Sequence, residues 1–499
     1  METEPKIYEK QLYEIWKTKN FEKELSTADG EAITVMDTGV ENTDTSGPDF
    51  KNARIRIGNL VYVGDVEIDS DYTDWKTHGH NINKRYNKVI LHLSLFNSSR
   101  LAYVYNKEGR KIHSVCLNGY IKKELIGLPK TNPAAGNSSS SDQEYNRTQL
   151  RCIESNQGVS EQIKIDFIYS LGVERFNKKC EKMYHRLKEI AYIKRLGLKE
   201  PVVRYEAGVD FLEKDFNYSD FEAKELWQQL LYEYIFEALG YSKNKGIMLN
   251  LAQFLNTDYI RTLLGEHFDI DSLHSVLFHV AGLIPEKNDF GIQDSNDYVR
   301  HLKEIWNSKK HLYDGHYFDE TQWHFFKLRP QNFPTIRLAG GAVLLRKILA
   351  EDFIRILIKK FDEIRNADTL IRSVKSLFIV KSDGFWKTHY VFDHKCQEEI
   401  NYFVGGARAD EMVINVVLPF ISIYGEVFGK KELSQRALTV YSTYTQLDDN
   451  NIVKFVAGTL NIGDAWKRSI LSQGMIELFR NYCSKGRCLE CIIGKASFE

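Results

Sequence analysis

The chain has 499 residues, which at roughly 150 per domain sets an expectation of about two to four domains. Its 67 Lys+Arg balance 68 Asp+Glu to a net charge of -1, which excludes a partner found by bulk positive charge but leaves room for a local basic groove. A hydrophobic content of 43%, with 12% aromatic, excludes global disorder.

The first residues are charged and amphipathic, unlike a secretory leader. The longest apolar stretch, residues 413–424, is interrupted by Asn415 and Pro419 and falls short of the ~20 residues that span a bilayer. Seven cysteines, an odd number, argue against a disulfide framework. The expectation is a soluble cytoplasmic protein with reduced thiols and no membrane partner.

In chain order, Tyr8, Leu12, Ile15 and Trp16 predict a short amphipathic helix. Two alternating runs, 54–57 and 60–63, flank Gly58-Asn59 and predict a tight hairpin that continues to Asp69. Residues 89–95 read as another strand, and 101–105 with 112–117 as a further pair. Residues 131–142 are polar and low in complexity. Beyond them, helical stripes run through 163–190, 219–239, 343–364 and 433–444, with Gly240 as a stop signal. The fold class expected is α+β: a mixed α/β domain over 1–130, a flexible linker or loop over 131–148, and an α-helical region over 149–499 that ends in a cysteine cluster.

The chemistry concentrates in Gly47-Pro48-Asp49-Phe50 and in Gly64-Asp65-Val66-Glu67-Ile68-Asp69. Alternation puts Asp65, Glu67 and Asp69 on one strand face. The hairpin brings Asp49 back beside Glu67. Strict register would pair Phe50 with Glu67, whereas one extra residue in the second strand, with Gly64 the natural bulge site, pairs Asp49 with Asp69. Converging carboxylates call for a cation, and hard oxygen ligands at Asp49 and Glu67 suit Mg²⁺ or Mn²⁺. Downstream, His78 and His80 are candidate ligands or proton carriers. A solvated strand face with ordinary surface acids is the competing reading.

This arrangement resembles the PD-(D/E)XK nuclease superfamily, with Asp49 as the first acid and Glu67 as the second. The resemblance implies a restriction-endonuclease-like fold and a catalytic set of Asp49, Glu67, Asp69, His78 and His80. Asp69 stands where the family has lysine, so Lys76, Lys84 or a histidine replaces it, or the site is altered or dead. The Trp75–His80 segment is also similar to the histidine-bearing stretch of very-short-patch repair endonucleases. Over nearly the whole chain, the segment order resembles an uncharacterised bacterial domain-of-unknown-function family (DUF2851-like). That pattern takes in 47–50, 64–68, Asp74-Trp75, His78, His80, 89–92, 328–337, 386–390, 414–419 and the terminal cysteines.

Cys483, Cys488 and Cys491 are spaced four then two residues apart, and Cys152 is the candidate fourth ligand for zinc or an iron–sulfur cluster. Reduced structural thiols are the alternative. Arg329 and Arg337 flank a turn at which Pro334 is fit to open a helix; they could hold a phosphate or make internal ion pairs. Trp386 and His389 read as core. Two functions are expected from this pattern. One is a metal-dependent nuclease or nuclease-like protein hydrolysing phosphodiester bonds of nucleic acid. The other is a non-catalytic nucleic-acid-binding or scaffold protein on a decayed nuclease fold.

Overall fold

The computed structural model describes residues 9–27, 29–42, 47–97, 103–121, 152–153, 155–196, 211, 214–286, 290–325, 328–445, 450–463 and 467–498. The linker expected over 131–148 lies outside them. The chain forms two compact units: Met1–Asn137 with Trp323–Phe333, and Ser138–Gln322 with Pro334–Glu499.

The first unit is mixed α and β. Helix α1 (Glu9–Thr18) buries Leu12, Ile15 and Trp16, the i, i+3, i+4 stripe that made it legible. It packs on a sheet of β1 (Leu25–Ser26), β2 (Ala32–Asp37), β3 (Val40–Glu41), β4 (Phe50–Ile57), β5 (Leu60–Asp71), β6 (Val89–Phe96), β7 (Tyr103–Tyr105) and β8 (Lys111–Cys116). The path is β1-β2-β4-β5-β6-β8-β7, with β3 pairing β4. Phe50, Val66, Ile68, Leu91 and Leu93 share one core with α1. Helix α2 (Asp74–Thr77) and two single 3-10 turns carry the chain from β5 to β6, which run parallel.

The β4–β5 hairpin holds a bulge, but on the strand opposite to the one expected. Ala53 pairs with Gly64 and Phe50 with Val66, so Lys51 and Asn52 of β4 oppose Asp65 alone. Asn52 takes the left-handed conformation, φ 58°, and donates its N–H to Asp65 Oδ1 at 3.1 Å. Gly64 has a different reason to be glycine: a Cβ there would sit 2.5 Å from both the Lys88 carbonyl and the Ile90 side chain. Continued past Phe50–Val66, the observed register brings Asp49 opposite Glu67, not Asp69.

The second unit is dominated by helices around α3 (Glu161–Leu196), whose cationic side pairs with acids of neighbouring helices. Arg175 and Lys178 meet Glu477, Lys182 meets Glu237, and Arg186 meets the fully buried Glu233. Helix Lys224–Leu239 ends at Gly240 as the sequence suggests. The stripe over 343–364 is broken into Pro334–Ala350 and Phe353–Glu363; the break turns Phe353 inward, where it packs on Phe378. The apolar run 413–424 forms a π-turn, Val413–Val417, and most of the buried helix Leu418–Val427. Among the described residues, no helix is long and apolar enough to cross a membrane.

Candidate metal centre

The strand order gathers polar side chains on the sheet face away from α1. Along β5, Val66 and Ile68 enter the core, so Glu67 and Asp69 point the other way. In the parallel ladder Glu67 lies beside His92 of β6, and His92 lies beside Ser114 of β8. The α2 segment then lays His78 and His80 against the same carboxylates.

Asp69 is the centre of the cluster. Its Oδ1 lies 3.1 Å from His78 Nδ1, and its Oδ2 lies 3.1 Å from His92 Nε2 and 3.6 Å from His80 Nδ1. Glu67 Oε1 is 3.4 Å from His80 Nδ1, while Glu67 Oε2 accepts the Asp49 N–H at 3.1 Å. The Asp49 carboxylate accepts from the Ile68 N–H at 2.9 Å and from the Tyr13 hydroxyl. Glu67, Asp69, His80 and His92 are at most 2% exposed, whereas the His78 side chain is 26% exposed and forms the open edge.

Aromatic rings fix the imidazoles. His80 stacks on Tyr86 with centroids 4.3 Å apart, and Trp75 sits 5.2 Å from both His80 and His92. Gly79, at φ 77°, reverses the chain between the two histidines of the loop. Phe325 and Phe333 close over it, 3.7 and 3.4 Å from where a Cβ would stand.

Burial by itself would push the Asp69 carboxyl up. The charge of His80 and the hydrogen bonds from His78 and His92 overcome that and hold it well below the usual carboxylate range. Burial also raises the Tyr86 hydroxyl, with the negative charges of Glu67, Asp49 and Asp69 adding to the rise. Asp65 takes no part in this cluster: its carboxylate is turned to Asn52 in the bulge, and burial pushes it up.

Asp69, His78 and His80 each offer a ligand atom, all within 4.8 Å of one another. Two imidazoles with a carboxylate, and a second carboxylate alongside, fit a cation of borderline hardness such as Mn²⁺ or Zn²⁺ better than Mg²⁺. The cluster thus joins all five residues expected from sequence, Asp49, Glu67, Asp69, His78 and His80, but its ligand set centres on Asp69, while Asp49 is held by Tyr13 and backbone. Imidazole, not lysine, is what approaches Asp69. Sequence reasoning gave no site role to His92, Tyr13 or Tyr86; His92 entered only through the family pattern over 89–92 and through its period-two alternation with Leu91 and Leu93. A second set, Asp29, Glu31 and His113, lies nearer the surface, where Asp29 already pairs with Lys111 at 3.1 Å.

The other expectations divide. Arg337 is buried and donates to the Phe403 carbonyl and, at 2.8 Å, to the Tyr241 hydroxyl. Trp386 and His389 are fully buried core. Cys152, Cys483, Cys488 and Cys491 all belong to the second unit.

A family model described as "Protein of unknown function (DUF2851)" matches residues 9–193 and 215–451. The matched span takes in the whole Asp69 cluster and Cys152, and ends before Cys483. No curated protein and no solved structure matches the chain.

Proposed function

The chain therefore belongs to that family, and from this premise we propose that it is a metal-dependent hydrolase of nucleic-acid phosphodiester bonds. The observation that carries the reading is the buried Asp69, with three imidazoles 3.1–3.6 Å from its carboxylate and Glu67 alongside. The order helix, acid-bearing hairpin, helix and parallel strand is also the order expected of a PD-(D/E)XK nuclease. Asp69, His78 and His80 would hold the metal, with Glu67 alongside.

A divalent ion in such a donor set polarises a phosphodiester and makes bound water a better nucleophile. The protein's own groups do the rest. Asp49 fixes Glu67 through its N–H, and Tyr13 fixes Asp49. His92 braces Asp69 from the neighbouring strand. His78, at the open edge, is the group placed to exchange a proton with solvent.

A non-catalytic nucleic-acid-binding or scaffold protein is the second reading, favoured by the near-complete burial of Glu67, Asp69, His80 and His92. One experiment separates the two. The purified chain is incubated with single- and double-stranded DNA and RNA in Mn²⁺, Zn²⁺ or Mg²⁺, beside His78→Ala and Asp69→Asn. Cleavage that requires added metal and vanishes in both variants supports the hydrolase. Cleavage that survives in both rejects it. Metal binding without cleavage of any substrate favours the second reading.

A further inference from the structure

The second unit holds a cluster for which the hydrolase reading has no use. Cys483 ends the π-turn Phe479–Cys483, and Gly486 then reverses the chain with its N–H on the Cys483 carbonyl at 3.1 Å. Cys488 opens the 3-10 turn Cys488–Glu490, and Cys491 follows it, just before the short helix Ile492–Phe498. Cys152 comes from more than three hundred residues earlier. It precedes the turn Ser155–Gly158, which packs on Ile492–Phe498.

Cys152 is firmly pinned. Its carbonyl accepts the Asn156 N–H at 2.9 Å and the Asn156 amide at 2.6 Å, and the same amide reaches the Thr459 carbonyl. Lys164, itself buried, donates to Asn156 Oδ1 at 2.9 Å and to the Leu460 carbonyl at 3.0 Å. On the other side, the Cys491 carbonyl accepts the Lys495 N–H at 2.8 Å, which ties it to the helix Ile492–Phe498.

Burial raises the Cys152 and Cys491 thiols and pushes Cys483 up to about 12. The neighbouring sulfurs push the same way: Cys488 and Cys491 act on Cys152, and all three other cysteines act on Cys483. The fold thus gathers four thiols from two distant stretches of chain: the Ser155–Gly158 turn that follows Cys152 packs on the helix that follows Cys491, and the Phe479–Cys483 turn meets Cys488–Glu490. A soft cation is the partner that four gathered thiols suit, since it holds each of them as a thiolate.

We propose that Cys152, Cys483, Cys488 and Cys491 ligate one thiolate-bound metal centre, a zinc ion or an iron–sulfur cluster, that clamps the Ser155–Gly158 turn to the C-terminal knuckle. The four thiols give up their protons to solvent as the metal takes their place, so occupancy falls in acid.

The test uses the full chain purified without oxygen, analysed for zinc, iron and acid-labile sulfide, beside Cys152→Ser and Cys488→Ser. With Asp69→Asn as the common background, so that zinc at the first site does not count, the expected result is a near-stoichiometric metal that falls at least tenfold in each cysteine variant; zinc alone, or iron with sulfide and a visible chromophore, tells the two occupants apart. The proposal is overturned by protein that takes up neither zinc nor iron with sulfide, or by metal retained in both variants. Should the serine variants fail to fold, alkylation of the unaltered chain serves instead. Cys483 and Cys488 should resist the reagent while Cys116 and Cys396, also partly exposed, react, and a chelator should abolish the difference. Protection that is indifferent to the chelator rejects the site.

Discussion

His92 reaches Asp69 across a parallel pair of strands, Nε2 to Oδ2 at 3.1 Å, although 23 positions separate them in the chain. The contact makes a buried anion tolerable, because it answers a charge that desolvation alone would neutralise. Asp69→Ala leaves His80 and His92 buried without that carboxylate and should cost about 3–5 kcal/mol. In a double-mutant cycle, Asp69→Asn with His92→Gln should show a coupling of at least ~0.5 kcal/mol in urea denaturation. Strict additivity would remove the contact from the account.

Metal binding should be visible as stability. An ion at about a hundred times its dissociation constant stabilises the folded chain by ~2.7 kcal/mol. Mn²⁺ or Zn²⁺ should therefore raise the melting temperature of the unaltered chain, and should leave His80→Ala unmoved. An equal rise in both would mean that the ion binds elsewhere.

The bulge makes a backbone prediction. Asn52 holds φ 58°, which a β-branched residue adopts badly. Asn52→Val should cost about 1–2 kcal/mol, and Asn52→Gly should stay within ~0.5 kcal/mol of the original. Equal stabilities for the two variants would contradict the assigned bulge.

His279 gives a pH signature in the second unit. It stacks on Trp306 at 5.1 Å and its Nδ1 lies 2.7 Å from the Ser275 carbonyl. Burial, opposed by that carbonyl and aided by Lys303, lowers its pKa to about 4. The folded value is below the unfolded one, near 6.5, so the neutral ring's contribution is whole above pH ~6.5 and is lost as pH falls towards about 4. With solvent screening allowed for, the loss should be on the order of 2 kcal/mol. His279→Gln should flatten the stability profile over that window; an unchanged slope would assign the titration to other groups.

What the sequence disclosed and what it withheld follow from the range of each interaction. The acids of the hairpin and the stripe of α1 are local patterns, set by periods of two and 3.6 residues, and both could be read directly. The side of the bulge could not, because Gly64 answers to the approach of Lys88, just before β6, and Ile90 within it, a neighbour that periodicity does not name. His92 was hidden for the same reason: its role depends on β6 running parallel to β5. Tyr13 sits on a helix whose visible stripe concerned packing, and its hydroxyl reaches Asp49 from the margin of that stripe.

The return of Trp323–Phe333 to the first unit has a consequence for the order of events during synthesis. Roughly 190 residues separate Asn137 from Trp323, about 10–40 s of translation at ~5–20 residues per second. Throughout that interval the hairpin, the carboxylates and the histidine loop exist on the ribosome, while Phe325 and Phe333, which pack on Gly79, have yet to be made. The turn at Gly79 therefore forms first without these two rings and gains them only after the rest of the first unit has been made.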